Sequence, residues 1–215
     1  MTLKADLFWS CRSPYSYIAV PRYRALVAEH DLEIRLRPVL PIAIREPDFF
    51  EKRHPNWLRY TLTDVIRLAT YHGMPISMPQ PDPIIQDLET REIAEEQPHV
   101  HRLTRLVQAA ARMGKGLDYA AEMGRIIWGG TKDWHEGSAI DYAAARCNID
   151  PAELNRMVQR DEDGLDREIE ANAILLEESG HWGVPTFVFD GEAFFGQDRV
   201  ELAQWRMERA GLKQR

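Results

Sequence analysis

An α/β fold carrying a large helical insertion is the class this sequence predicts, on three observations. Strand-like segments lie only near the two ends of the chain, at residues 3–9, 31–39, 186–190 and 193–195. The long middle has little strand character and repeats its apolar residues at helical spacing. Between the first strand and the first helix stands Ser13-Pro14, the junction around which the other pieces are organised.

Taken in order, Leu7-Phe8-Trp9 reads as the end of a buried strand. Pro14 fits the first helical position, where a missing N–H costs nothing. Ser13 fits the N-cap, its hydroxyl facing the unsatisfied donors and positive end of the helix. That helix should run to about His30, with Ile18, Arg22, Ala25 and Leu26 marking its faces. Pro21 inside it should bend it or break its hydrogen-bond ladder. Residues 31–39 then alternate, Leu32, Ile34 and Leu36 against Glu33, Arg35 and Arg37, which is a strand. Pro38 and Pro41 stop it or demote its end.

Residues 46–56, charged and proline-bearing, read as a loop. Leu58, Leu62, Val65, Ile66 and Ala69 then form a helical stripe over 57–71, closed by Gly73. The proline-rich stretch 74–83 is a rigid connection. Helices are expected near 85–96, over 99–113 (Leu103, Leu106, Val107 and Ala110 on one face) and over 117–127, the last two separated by Gly114 and Gly116. Asp150-Pro151-Ala152-Glu153 resembles a capping box with proline at the first helical position. A helix over 164–178 repeats Leu165, Ile169, Ala173 and Leu176, with Gly180 as its cap. Two strands joined at Gly191 follow, and Asp198 is placed to cap a closing helix with Leu202, Trp205, Met207 and Ala210, ended by Gly211.

Sheet segments at both ends form one layer only if the ends come together. A β-α-β unit completed by a β-β-α unit is the thioredoxin arrangement, here built from residues 1–45 and 180–215. Residues 46–179 are then a helical insertion, and a ligand pocket is expected at the join.

A net charge of −7 argues against a nucleic-acid binder. No apolar run approaches the ~20 residues of a membrane span, and the N-terminus lacks a signal-peptide pattern. With only Cys11 and Cys147 there is no disulfide framework or zinc ribbon, which points to a reducing cytoplasm. His54, His72, His99, His101, His135 and His181 have no metal-ligand spacing and read as surface or polar core residues. Cys11 reads as a small buried residue at a strand end, Cys147 as packing in a helical stretch. The run Asp161-Glu162-Asp163 reads as a solvated helix start. Ser13 by itself is a helix cap; a strand feeding a helix through one hydroxyl is also a place to hold an anion or thiolate.

The segment Phe8-Trp9-Ser10-Cys11-Arg12-Ser13-Pro14-Tyr15-Ser16-Tyr17-Ile18-Ala19 resembles the N-terminal signature of 2-hydroxychromene-2-carboxylate isomerases and kappa-class glutathione transferases, a DsbA-like branch of the thioredoxin fold. Gly183-Val184-Pro185-Thr186-Phe187-Val188, followed by Phe195-Gly196-Gln197-Asp198-Arg199-Val200, is similar to the second signature. Residues 60–75, with their Tyr-His-Gly-Met-Pro close, and residues 128–133 also resemble the family, in the right order along the chain.

The resemblance implies a glutathione-dependent enzyme, either an isomerase of a small unsaturated aromatic carboxylate or a kappa-like glutathione transferase; a thioredoxin-fold binding protein without turnover is the rival class. It implies that Ser13 occupies the place of the attacking cysteine in dithiol relatives, with Ser16 at its partner's place, so that no dithiol–disulfide cycle runs there. Ser13 then hydrogen-bonds the glutathione sulfur. The Val184-Pro185 bond is implied to be cis, turning the Val184 backbone toward the peptide; without the resemblance it reads as an ordinary strand-start proline. Gln197 and Asp198 are implied to hold the γ-glutamyl end, a role compatible with capping. Trp128 and Trp134, core residues by default, are pocket walls by resemblance. Trp57 stands where the family has a glutathione-binding lysine, leaving Lys52, Arg53 or Asn56 as substitutes. The partners implied are a small aromatic electrophile and a second copy of the chain.

Overall fold

The structure, a computed structural model, describes all residues except 1, 51, 55, 88, 89, 91 and 137. Four strands form one sheet in the order β2-β1-β3-β4. They are β1 (Leu3–Trp9), β2 (Leu32–Pro38), β3 (Thr186–Phe189) and β4 (Glu192–Phe195). β1 runs parallel to β2, with Leu7 opposite Leu36, and antiparallel to β3, with Leu7 opposite Phe187. The first and last parts of the chain thus meet on the two edges of β1.

Alternation along β1 sends its side chains to two different layers. Ala5, Leu7 and Trp9 join the large apolar core, whereas Phe8 packs with Val39 and Leu176 on the opposite face. On the first face lies α1 (Pro14–Glu29), whose Tyr23 stacks on Phe187 at 4.9 Å between ring centroids. α9 (Val200–Arg209) adds Val200, Ala203 and Met207 to that core. Although Pro21 lies within α1, the helix continues through it as one element.

Between β2 and β3 come α2 (Ile42–Arg45), α3 (Asn56–Tyr71), α4 (Val100–Arg112), α5 (Gly116–Trp128), α6 (Ala139–Arg146), α7 (Pro151–Arg160) and α8 (Glu162–Glu178). The Leu103, Leu106 and Val107 face of α4 belongs to the same apolar cluster as Leu7 and Phe187, so the core runs unbroken from sheet to insertion. A buried amide joins three elements: Asn172 on α8 donates to Pro38 O and to Gln108 Oε1 on α4, each at 3.0 Å, and accepts from Arg37 Nη1 at 3.2 Å. Every polar end of that side chain is used, which makes its burial tolerable.

Three expectations need correction. No helix forms among the described residues of 85–96. Instead Asp87 N donates to Glu92 O and Ala94 N to Ile85 O, while the Gln97 amide bonds Ile85 N, Ile85 O and Ala94 O. Side-chain bonds to backbone, including Thr90 N to Asp87 Oδ1 at 2.7 Å, outcompete the helical ladder there. The start of α8 is not simply solvated: Asp161 pairs with Arg112, and Glu162 and Asp166 pair with Arg105, across to α4. Asp198 does not cap α9. A 3-10 turn, Gln197–Arg199, precedes that helix, and the Asp198 carboxylate instead pairs with Arg199 at 2.6 Å.

Candidate functional site at the start of α1

Ser13 holds the N-cap of α1 in extended backbone geometry, φ −95° and ψ 113°, with Pro14 inside the first turn. Its Oγ accepts from Ser16 N at 3.1 Å and donates to Val184 O at 3.3 Å. The cap satisfies one of the orphan N–H groups of the helix, and the hydroxyl proton lies on a long, weak bond. Ser16, one turn on, is fully buried, and its Oγ finds no partner among the described residues.

The Val184-Pro185 bond is cis. The strand that follows is tied to the next segment by Gly196 N donating to Pro185 O at 2.9 Å. Gly196 has φ +114°, ψ 155°, a region open essentially to glycine alone, and a Cβ there would stand 2.6 Å from Asp198 Oδ1. Gln197 is buried, and its carbonyl accepts from Arg22 Nη1 at 2.6 Å; the same guanidinium pairs with Glu201 on α9. Ser13, Val184-Pro185 and Gln197 are therefore linked through consecutive hydrogen bonds. Asp198, on the same turn, is exposed and engaged by Arg199.

Several neighbours make long-range bonds that their motifs do not specify. Tyr15 OH donates to Asp64 Oδ2 on α3 at 3.0 Å, and burial together with that carboxylate raises the phenol's pKa. Tyr17 OH donates to Pro75 O at 2.7 Å. Arg12 forks onto Asp82, Nε to Oδ1 at 2.5 Å and Nη2 to Oδ2 at 2.6 Å. Asp82 sits in the proline-rich connection, where only its charge between Pro81 and Pro83 could have drawn notice. Trp128 and Trp134 are core residues and not exposed pocket walls; their Nε1 atoms donate to Cys11 O at 2.9 Å and Pro81 O at 2.8 Å.

Cys11 is 1% exposed, and burial pushes its thiol up to about 12. A buried thiol kept protonated is a poor nucleophile at neutral pH. Trp57 packs among Phe49 and Phe50, with ring centroids at 6.2 and 5.7 Å. Of the three cationic or polar substitutes for the family lysine, Arg53 lies over the Phe49 ring at 3.9 Å and near Trp182 at 5.4 Å, two residues before Val184. Lys52 pairs with Asp48. Asn56 begins α3, its N–H donating to His54 Nδ1.

A four-stranded sheet with β1 between β2 and β3, a helix starting at the site residue and a cis proline facing it define a thioredoxin-type protein. The chain belongs to the DsbA-like thioredoxin domain family, whose profile matches residues 4–208. Solved structures share the fold at low identity. A 2-hydroxychromene-2-carboxylate isomerase is 19% identical with a TM-score of 0.67, 97% of this chain and 96% of that one being covered. The cytosolic disulfide reductase DsbM from Pseudomonas aeruginosa is 16% identical, with a TM-score of 0.61 and coverage of 97% and 100%. A probable DsbA oxidoreductase from Streptomyces coelicolor is 15% identical, with a TM-score of 0.65 and coverage of 97% and 89%. No curated protein matches the chain. Among the described residues, no helix is long and apolar enough to cross a membrane.

Proposed function

We propose that the protein is a glutathione-dependent isomerase acting on a small unsaturated aromatic carboxylate in the cytoplasm, with Ser13 holding the glutathione sulfur. The observation that carries this reading is the Ser13 hydroxyl, suspended between Ser16 N and Val184 O at the positive end of α1. A family built around a cysteine at that helix start here presents an oxygen, which binds a thiolate and does not exchange disulfides.

The residues fit the group. Ser13 Oγ needs only to rotate its proton from the long bond to Val184 O onto a sulfur, while Ser16 N stays on its lone pair and strengthens it as a donor. The N-terminus of α1 favours negative charge at the same point. The Val184 backbone, facing Ser13, can pair with an extended peptide. Gln197, anchored through Arg22, and Asp198, beside it on the turn and paired with Arg199, supply polar groups for the γ-glutamyl end, and Arg53 is the cation for the other carboxylate. Bound there, glutathione supplies a thiolate that adds reversibly to an unsaturated carbon of the substrate. Among solved structures of this fold, one named as a 2-hydroxychromene-2-carboxylate isomerase supports the reaction, and the disulfide reductase DsbM, solved with GSH, supports the cofactor alone.

Titration calorimetry with reduced glutathione tests the reading. Saturable heat at millimolar ligand or below is expected, and its absence overturns the proposal. Glutathione that is regenerated during turnover marks an isomerase. Stoichiometric loss into a conjugate would make the enzyme a transferase instead.

A further inference from the structure

The turn that aims Ser13 is held from the insertion. Trp9, where β1 ends, is fixed to the second strand's exit by Val39 N donating to Trp9 O at 2.9 Å. From there to Pro14 the backbone closes on itself once, Ser13 N to Ser10 O at 3.2 Å. Ser13 is tied forward to α1, its Oγ accepting from Ser16 N and its carbonyl from Tyr17 N, each at 3.1 Å, and the ties of Cys11 and Arg12 are long-range. Trp128 Nε1, on the last residue of α5, donates to Cys11 O, and Arg12 forks onto Asp82 while its guanidinium lies 5.5 Å from the centre of the Trp128 ring.

The Asp82 end of this link is itself well supported. Its Oδ1 accepts from Ile84 N at 3.0 Å. The preceding carbonyls are taken as well, Pro81 O by Trp134 Nε1 and Gln80 O by Asp133 N at 2.9 Å. An exposed ion pair contributes little, but a two-point fork between partly buried groups fixes orientation as well as distance. The Arg12 and Asp82 side chains are 27% and 33% exposed, and Trp128 is buried.

We infer that Asp82 and Trp128 are positioning residues for Ser13, so that the helical insertion sets the geometry, and through it the strength, of the hydroxyl's bond to a held thiolate. This rests on the reading of Ser13 as the sulfur-holding group. Arg12 and the Cys11 carbonyl are the two handles by which the insertion grips the turn. Cys11, enclosed between them, reports whether the grip is closed.

The test compares the full-length protein with Asp82→Asn, Asp82→Glu and Trp128→Phe by two measurements. The first needs no glutathione: the rate at which iodoacetamide alkylates Cys11 in the native protein, read by peptide mass. The second is the pKa of the bound glutathione thiol, read by thiolate absorbance near 240 nm. Asp82→Asn and Trp128→Phe are expected to speed alkylation about tenfold as the turn opens locally. Both are expected to raise the bound-thiol pKa by about one unit, a tenfold loss of thiolate at fixed pH below it. Asp82→Glu restores both toward wild type. Asp82→Asn with neither value changed overturns the inference, even if its melting temperature falls. A lowered thiol pKa also overturns it, because the freed Arg12 charge would then be acting directly. If the wild-type protein binds no glutathione, the functional reading fails on its own, and the alkylation rate alone decides the positioning role. Should Asp82→Asn not fold, Arg12→Gln cuts the same link and is judged by alkylation.

Discussion

Ser13 Oγ donates to Val184 O across 3.3 Å, although the two residues stand 171 positions apart in the chain. The contact exists because β3 lies beside β1, and it brings the start of one helix against the entry to one strand. Most of what can be tested about this protein follows from that meeting.

Replacing the hydroxyl separates its two jobs. Ser13→Ala is expected to cost about 1 kcal/mol of folding stability through loss of the N-cap, measured by urea unfolding. It should also raise the pKa of bound glutathione thiol, followed by ultraviolet absorbance against pH. A stability loss with an unchanged thiol pKa would reduce Ser13 to a cap.

A thiol placed there should behave quite differently from the one two residues earlier. Ser13→Cys puts sulfur at a helix N-terminus, where thiol pKa values fall below the free value of about 8.5. Cys11, pushed up to about 12 by burial, should stay inert beside it. Iodoacetamide labelling against pH is expected to show a single reactive thiol at position 13, half-titrated below pH 8.

Gly196→Ala forces a side chain into φ +114° and against Asp198. A cost of about 1–3 kcal/mol is expected for such backbone, seen in denaturant unfolding. Because Gly196 N also holds Pro185 O, glutathione affinity should fall with it; unchanged calorimetry would dissociate this turn from the site.

Two ends of the pH scale test buried and paired groups. The Arg105 guanidinium holds the Asp166 carboxyl below its ordinary 3.8, so the pair's contribution is present above that pH and disappears as pH falls through the lowered value. Asp166→Asn should therefore lower stability at pH 7 by about 0.5 kcal/mol, a figure already reduced for solvent screening. The gap to wild type should close in acid. At the alkaline end, burial raises Cys11 to about 12 and Cys147 to about 11 from 9.0. The unfolded chain sheds these protons first, so the melting temperature should decline as pH climbs above about 9.

Local rules were enough for the ends of the chain. Pro14 after Ser13, and the alternation of Leu32, Ile34 and Leu36, are short-range signals that tertiary context did not overturn. Asp150 also caps its helix as its spacing indicates, accepting from Ala152 N. Where side chains compete with the backbone, the reading failed: Asp87 and Gln97 divert the 85–96 segment from helix, and Asp198 turns to Arg199 and leaves α9 uncapped. The resemblance placed Ser13, Val184 and Gln197 near one another. The Arg12–Asp82 fork and the Tyr15–Asp64 bond stayed hidden, because pairing between distant charged or phenolic groups leaves no periodicity to read.

The sheet order has a consequence for how the molecule comes into being. β1 sits between a strand that follows it across the single helix α1 and a strand made after the whole insertion. A chain emerging from the ribosome can pair β1 with β2 early and cover them with α4 and α5, yet the other edge of β1 stays open until β3 arrives. An open edge is a template for unwanted pairing. Arrival of β3 therefore covers that edge of β1 and delivers Val184 to Ser13 in the same event, so a newborn molecule joins Ser13 to Val184 only after the whole insertion has been made.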